Sequence, residues 1–296
     1  MDIVDAQVHV GRGKIATTLA AMDALGIQSV VIDEFWGSMH PSHPTHIDPG
    51  YQLENGAWRA AWPTAEEASL LHPERFSYLV RVDRNDPQLE SVMRTVGSSP
   101  HARAFRLQPV WTLDEVGVFA AGGYTPVLEI ARDIGLPVCF FIPGYVELLR
   151  PYLAQFPGLQ FVVDHGGMGF SNIPAGRPAA EAAAANSPAY FDEVLRLAEF
   201  PNVALKLSHI HHPFGAGNYP YEPLRPVLRR AIDAFGANRL LWASDNTVIP
   251  GHSWADLLYY LRDDPELSAE EKRWILGASA RSVFRWPAAP TEWAKG

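Results

Sequence analysis

Residues 125–142 read TPVLEIARDIGLPVCFFI, and this stretch decides the fold. Thr125–Ile134 is an amphipathic helical stretch, and Gly135 directly after it reads as a C-cap. Leu-Pro then leads into Val138–Ile142, a continuous apolar run of the kind found where both faces of a parallel strand are covered. Gly236 repeats the arrangement, closing the helical stretch Leu224–Phe235 ahead of the run Leu240–Asp245. Working outward in both directions, further strands are predicted at Ile3–Val10, Ser29–Asp33, Phe76–Val82, Ala104–Gln108, Gln160–His165 and Val203–Ser208. Helices are predicted at Thr17–Leu25, Ala65–Leu71, Gln88–Val96, Val146–Gln155 and Tyr190–Glu199. Ser268 with Glu271 forms a capping-box signature that opens one more helix, Ala269–Leu276. Steady β/α alternation over a chain of 296 residues predicts an α/β protein, a TIM (β/α)8 barrel in a single domain, 1–296. The competing open, doubly wound sheet lacks its Gly-rich phosphate loop after the first strand.

Two segments interrupt the alternation as loop insertions, at about 34–63 and 166–188. The first is rich in His, Pro and Trp without clear periodicity. The second holds the Ala-rich patch 179–185, which reads as a short helix. The composition is 47% hydrophobic and 19% charged, with a net charge of −9. That balance argues against nucleic acid and against an anionic membrane surface, both of which need a basic face. No apolar run is long enough to span a bilayer and no signal-peptide pattern opens the chain, so a cytoplasmic protein is expected. Cys139 is the single cysteine and sits in an apolar run, which excludes an internal disulfide and disfavours thiol catalysis.

Catalytic side chains of a TIM barrel lie at the C-terminal ends of its strands. Here those ends carry Asp5, Gln7 and His9; Asp33-Glu34; Arg81 and Asp83; Arg106 and Gln108; Asp164-His165; Lys206, Ser208 and His209; and Ser244-Asp245-Asn246. Apolar strands that repeatedly terminate in His, Asp and Arg predict one convergent polar mouth.

These residues also carry a family resemblance. Asp5-x-Gln7-x-His9 resembles the strand-one D-x-H-x-H motif of the amidohydrolase superfamily, with the first metal-ligand histidine replaced by Gln7. Phe161–Gly166, FVVDHG, is similar to the V-x-D-H-x-G element of that superfamily's second large, amidohydrolase-related branch. Arg239–Asp245, RLLWASD, resembles the R-L-L-W-G-S-D element, and Ile275–Phe284, ILGASARSVF, the closing I-L-G-x-N-A-x-x-L-F. The branch includes pyrone dicarboxylate lactonases and aromatic-acid and muconate-semialdehyde decarboxylases. It implies a distorted TIM barrel, often with one divalent metal.

The resemblance assigns Asp245 as the base that takes a proton from water, with His165 and His9 as ligands or carbonyl polarisers. Asp5 supports the strand-one geometry by hydrogen bonding. Gln7 is the departure, because an amide oxygen is a weaker and harder ligand than imidazole. Two forms of the site stay open: Gln7, His9, His165 and Asp245 around one zinc or manganese ion, or a metal-free site. Arg106, and secondarily Arg81, suit a bidentate clamp on a substrate carboxylate. Trp36, Tyr51 and Trp111 are expected as pocket walls, and His209 as a general acid or further ligand. His40, His43, His46, His211 and His212 have no assigned role. The expectation is a hydrolase opening a lactone or similar activated bond of a small carboxylated molecule, in a chain that could self-associate. A metal-dependent decarboxylase and a barrel that has lost catalysis are the alternatives.

Overall fold

The computed structural model describes residues 1–34, 49–169, 173–174, 176–249 and 251–288. The barrel strands are β1 (Val4–Val8), β2 (Ser29–Asp33), β5 (Phe76–Arg81), β6 (Ala102–Leu107), β7 (Val138–Phe140), β8 (Phe161–Val163), β9 (Val203–Lys206) and β10 (Leu240–Leu241). Between β2 and β5 lie two short strands, β3 (Gly50–Gln52) and β4 (Trp58–Ala60). The eight barrel strands follow one another in the order β1-β2-β5-β6-β7-β8-β9-β10, with all neighbouring pairs parallel. Two backbone bonds bring the last strand round to the first: Ala6 N–H donates to Trp242 O, and Asp245 N–H to Gln7 O, both at 3.0 Å. This is the expected TIM barrel.

Side chains alternate across each strand with period two, and the alternation sorts the strands into two cores. Outward residues such as Val30, Ile32, Tyr78, Val80, Phe105, Phe140, Phe161 and Leu205 pack beneath the helices. Inward residues form a separate cluster of Ala6, Val31, Leu79, Ala104, Cys139, Val162, Ala204 and Leu241, shut from below by Ala280, Val283, Phe284 and Trp286. Each fully buried Val, Leu, Ile or Phe contributes roughly 1.5–3 kcal/mol. Two residues further along, the inward positions turn polar: Asp33, Arg81, Arg106, Asp164 and Lys206. On β1 a register shift between Asp5 and Val8 resets the phase. The apolar plug is therefore the floor on which the polar mouth stands.

Helices cover the outside, including Ile15–Leu25, Thr125–Ile134, Phe191–Arg196 and Arg225–Phe235. The predicted cap at Gly135 is present, with φ +83° and its N–H bonded to Ala131 O. The Ala179–Ala185 helix and the Ser268/Glu271 capping box are also present. Two helices that the sequence reading did not assign complete the wall, Leu113–Ala120 and Trp254–Arg262. The segment expected to be a structureless insertion contains the β3–β4 hairpin, latched to the loop after β5. Asp83 accepts from Trp58 N–H at 2.8 Å, Arg59 pairs with Asp86 through two nitrogens, and Asn55 donates to Asn85 O.

Candidate active site

Three strand ends leave the sheet in the same unusual way. His165 after β8, His209 after β9 and Asp245 after β10 all have left-handed backbones, with φ of 54°, 60° and 51°. Left-handed non-glycine residues each carry strain and persist where the surroundings hold them, often at functional sites. The left-handed turn aims each side chain back over the barrel axis. Gly166 and Gly167 continue the turn after His165 at φ +63° and +65°, and a Cβ on Gly166 would lie 2.4 Å from Ile210 Cγ2. Their role is the sharp turn itself.

The three side chains meet. Asp245 accepts from His209 Nε2 at 2.8 Å through Oδ2, while His9 Nε2 lies 2.9 Å from Oδ1. His165 Nε2 stands 3.8 Å from Asp245 Oδ2. His9 is oriented from behind, its Nδ1 lying 2.6 Å from Asp33 O. His165 is oriented by Ser208 Oγ at 2.7 Å from its Nδ1, and Arg106 Nη2 approaches its Nε2 at 3.3 Å. An Arg donor on Nε2 leaves the proton of neutral His165 on Nδ1.

Beneath them lies a buried charge layer. Arg106 bridges Asp33 and Asp164, with its Nε 2.7 Å from Asp164 Oδ2. Arg81 grips Asp33 with two bonds of 2.9 and 2.7 Å. Lys206, fully buried, places Nζ 2.9 Å from Asp164 Oδ1 and donates to Gln7 Oε1 at 2.9 Å. Asp5 accepts from the N–H groups of Ser244 and Gln7 and from Trp254 Nε1, tying β1 to the Asp245 turn.

The electrostatics follow from these contacts. Burial opposes ionisation of Asp245, but His9, His209 and His165 outweigh it and hold the carboxyl well below the usual range. For His9, burial opposes protonation, yet Asp245 and then Asp33 raise its pKa above the ordinary histidine value. His165 goes the other way: burial and the neighbouring His209 push it well down, so it is neutral. Asp33 is held below the usual range because Arg81 and Arg106 overcome burial. Asp164 falls to about 2 because Lys206 and Arg106 do the same. Asp5 has no cation beside it, and burial lifts it to about 6. A histidine raised and a histidine lowered on one carboxylate are the kind of divergence that marks functional sites.

Above the group opens a cavity of about 780 Å³, walled by Trp58, Trp62, Trp111, Tyr124 and Phe141 and floored by His9, His165, His209 and Asp245. Trp111 lines it as expected. Tyr51 faces outward on the hairpin, 53% exposed, beside Arg59. Trp36, His40, His43 and His46 lie outside the described residues. His211 and His212 pack with His252 and Tyr221 behind the site rather than in the cavity. The sequence reading placed Asp33, Asp164, Lys206 and Ser208 at strand ends without roles; their pairing two residues above the apolar ring is the signal that would have found them.

The amidohydrolase family model matches residues 4–286, nearly the whole barrel. This chain belongs to the amidohydrolase family. Over 137 residues it is 33% identical to an L-fucono-1,5-lactonase of Burkholderia ambifaria, an alignment covering 43% of this chain and 42% of that protein. The chain thus matches about two fifths of that curated relative's length. Among solved structures, it resembles a zinc-bound amidohydrolase of Burkholderia multivorans, with TM-score 0.67, 17% identity and 97% and 100% of the two chains covered. It also resembles 5-carboxyvanillate decarboxylase of Sphingomonas paucimobilis, with TM-score 0.59, 15% identity and 96% and 99% covered. At such identities the structural likeness is one of fold.

The family implies a divalent metal, and the donor set here fits one. One ligand atom each from His165, His209 and Asp245 lie within 4.8 Å of one another. Two imidazole nitrogens and a carboxylate oxygen suit zinc or manganese and leave a position open for substrate. Gln7, the fourth ligand expected at strand one, has its Oε1 on Lys206.

Proposed function

We propose that this amidohydrolase opens the ring ester of a small, uncharged lactone, with Asp245 as the proton acceptor. The observation that carries this reading is the Asp245 carboxylate, fixed between His9 and His209 at the floor of the aromatic-walled cavity. An ionised carboxylate at this position accepts a proton from water as the water oxygen attacks the lactone carbonyl carbon. The ring C–O bond then breaks, and the leaving oxygen takes up that proton to give the hydroxy acid. His9 and His209 keep the carboxylate oriented, and Arg106 and Ser208 hold His165 in place. A divalent ion held by His165, His209 and Asp245 would supply Lewis acidity toward the carbonyl. A weak base is adequate for an activated ester, whereas an amide would need more.

The preference for an uncharged substrate comes from the lining charges. Asp33, Glu34, Asp83, Glu115 and Asp245 face the cavity, against Arg81, Arg84 and Arg106. Each arginine is already engaged: Arg81 on Asp33, Arg84 on Glu115 through two bonds, and Arg106 on Asp33 and Asp164. In this reading a carboxylate would have to compete with Asp33 and Asp164 for Arg106 and Arg81, which are already paired with them.

Acid release from neutral 1,4- and 1,5-lactones, compared with carboxylated lactones of the same size, tests both parts. Turnover with a kcat/KM at least about tenfold higher on the neutral series is expected, the size of one unfavourable charge contact. A preference for the carboxylated series would leave lactone opening intact and remove the uncharged-substrate reading. Carbon dioxide release from an aromatic acid, without turnover of any lactone, would establish the decarboxylase instead. Asp245→Asn should lower kcat by about 10²-fold or more, the usual contribution of a positioned base.

A further inference from the structure

Gln7 is the one position where the strand-one pattern of this chain departs from D-x-H-x-H, and its surroundings explain the departure. Its Oε1 accepts from Lys206 Nζ at 2.9 Å, and both residues are 0% exposed. Its Nε2 is buried and finds no hydrogen-bond partner among the described residues. Lys206 is held on the other side by Asp164 Oδ1 at 2.9 Å and lies over the Phe284 ring that plugs the barrel.

We propose that Gln7 and Lys206 are a matched pair, in which the Lys206 ammonium is a built-in cation that denies a metal at His165, His209 and Asp245 a ligand from position 7. The argument is one of chemistry and charge. An ammonium donates only, so the group facing it must accept, and an amide oxygen does so without ionising. A histidine at position 7 would either accept from Lys206 with its free ring nitrogen, and so lose that nitrogen as a ligand, or present N–H to ammonium. The first form is no ligand, and the second keeps a free nitrogen only by setting N–H against ammonium. The charge count points the same way. Asp33 and Asp164 are already matched by Arg81, Arg106 and Lys206, so these two carboxylates hold cations before any ion arrives. A fixed ammonium beside a prospective ligand also repels a dication directly. This inference concerns the residues around the metal position and holds whichever bond the enzyme breaks.

The test is metal affinity in four full-length proteins: wild type, Gln7→His, Gln7→His/Lys206→Gln and Gln7→His/Lys206→Met. Zinc and manganese are titrated against a competing chelator, bound metal per chain is measured by elemental analysis, and thermal melts report folding. Lys206→Gln keeps a donor for Asp164, so it guards against loss of the fold. Gln7→His alone should bind metal within about threefold of wild type. Either double variant should bind about ten- to a hundredfold more tightly than Gln7→His, the range by which neighbours of ligands shift metal affinity. A gain of tenfold in Gln7→His alone would overturn the proposal, and this arm decides even if both double variants unfold. Folded double variants that bind no better than Gln7→His would overturn it as well.

Discussion

Asp245 shows how one residue can be strained, buried and charged at once and still be favoured. Its left-handed backbone costs free energy that only a fixed neighbourhood repays, and the neighbourhood is His9 and His209, one on each carboxylate oxygen. Asparagine tolerates the left-handed region as well as aspartate does, so Asp245→Asn removes the charge while keeping the turn. The charge is the main influence raising His9, and burial acts against it. In Asp245→Asn, the His9 pKa should therefore fall from its raised position, as followed by NMR titration of the imidazole carbons. The raised value belongs to the folded state. The pair thus contributes stability in full below the ordinary histidine pKa and loses it as the pH climbs through the raised one. Urea midpoints of Asp245→Asn should lack that alkaline decline. An unmoved His9 titration would mean that Asp33 rather than Asp245 governs His9.

At the scale of elements, the hairpin β3–β4 forms one side of the cavity wall. Trp58 and Ala60 line the cavity, and the hairpin is fastened by Arg59 to Asp86 and by Trp58 N–H to Asp83. Arg59→Ala should raise KM several-fold with kcat within about twofold, because it loosens a binding wall and leaves the reacting groups untouched. A fall in kcat at unchanged KM would place the hairpin in the chemistry instead. This element was hidden in the sequence because strands of three residues are too short to show a period. The barrel strands were legible for the opposite reason: covered on both faces, they are apolar runs bounded by turn residues. Their ends were overread, since Leu240–Asp245 contracts to Leu240–Leu241 and Val138–Ile142 to Val138–Phe140. Near those ends the backbone leaves the ladder, in the case of Asp245 for the left-handed turn that aims the side chain. His9, His165, His209 and Asp245 could be picked out singly from the sequence, because each is a reactive residue at a strand end. Their partners could not, because nothing local tells Lys206 that it faces Gln7, 199 residues away.

For the molecule as a whole, the charged layer makes the barrel's stability a function of pH. Asp33, Asp164 and Arg106 are each nearly inaccessible, and the arginine touches both carboxylates. Because the Asp33 and Asp164 pKa values are lowered on folding, the stability they contribute is complete above the unfolded aspartate value near 4. It is lost as the pH falls from there, through about 2 for Asp164. The contribution of these two carboxylates to the urea midpoint should accordingly change little between pH 7 and 5 and drop steeply below 4, while Asp5, lifted to about 6, adds a gain as the pH falls from 6 toward 4. Arg106→Leu leaves Asp33 with Arg81 and Asp164 with Lys206, so the fold retains one cation per acid. It still removes a buried partner from two charges, which costs about 3–5 kcal/mol. Both aspartates then ionise less readily and their folded pKa values move toward the unfolded one, so the acid limb should be shallower than in wild type. The measurement is the urea midpoint at pH 7, 5 and 3 for both proteins. Curves displaced by the same amount at every pH would show that Arg106 acts through packing alone, and that the layer is not what couples this barrel to protons.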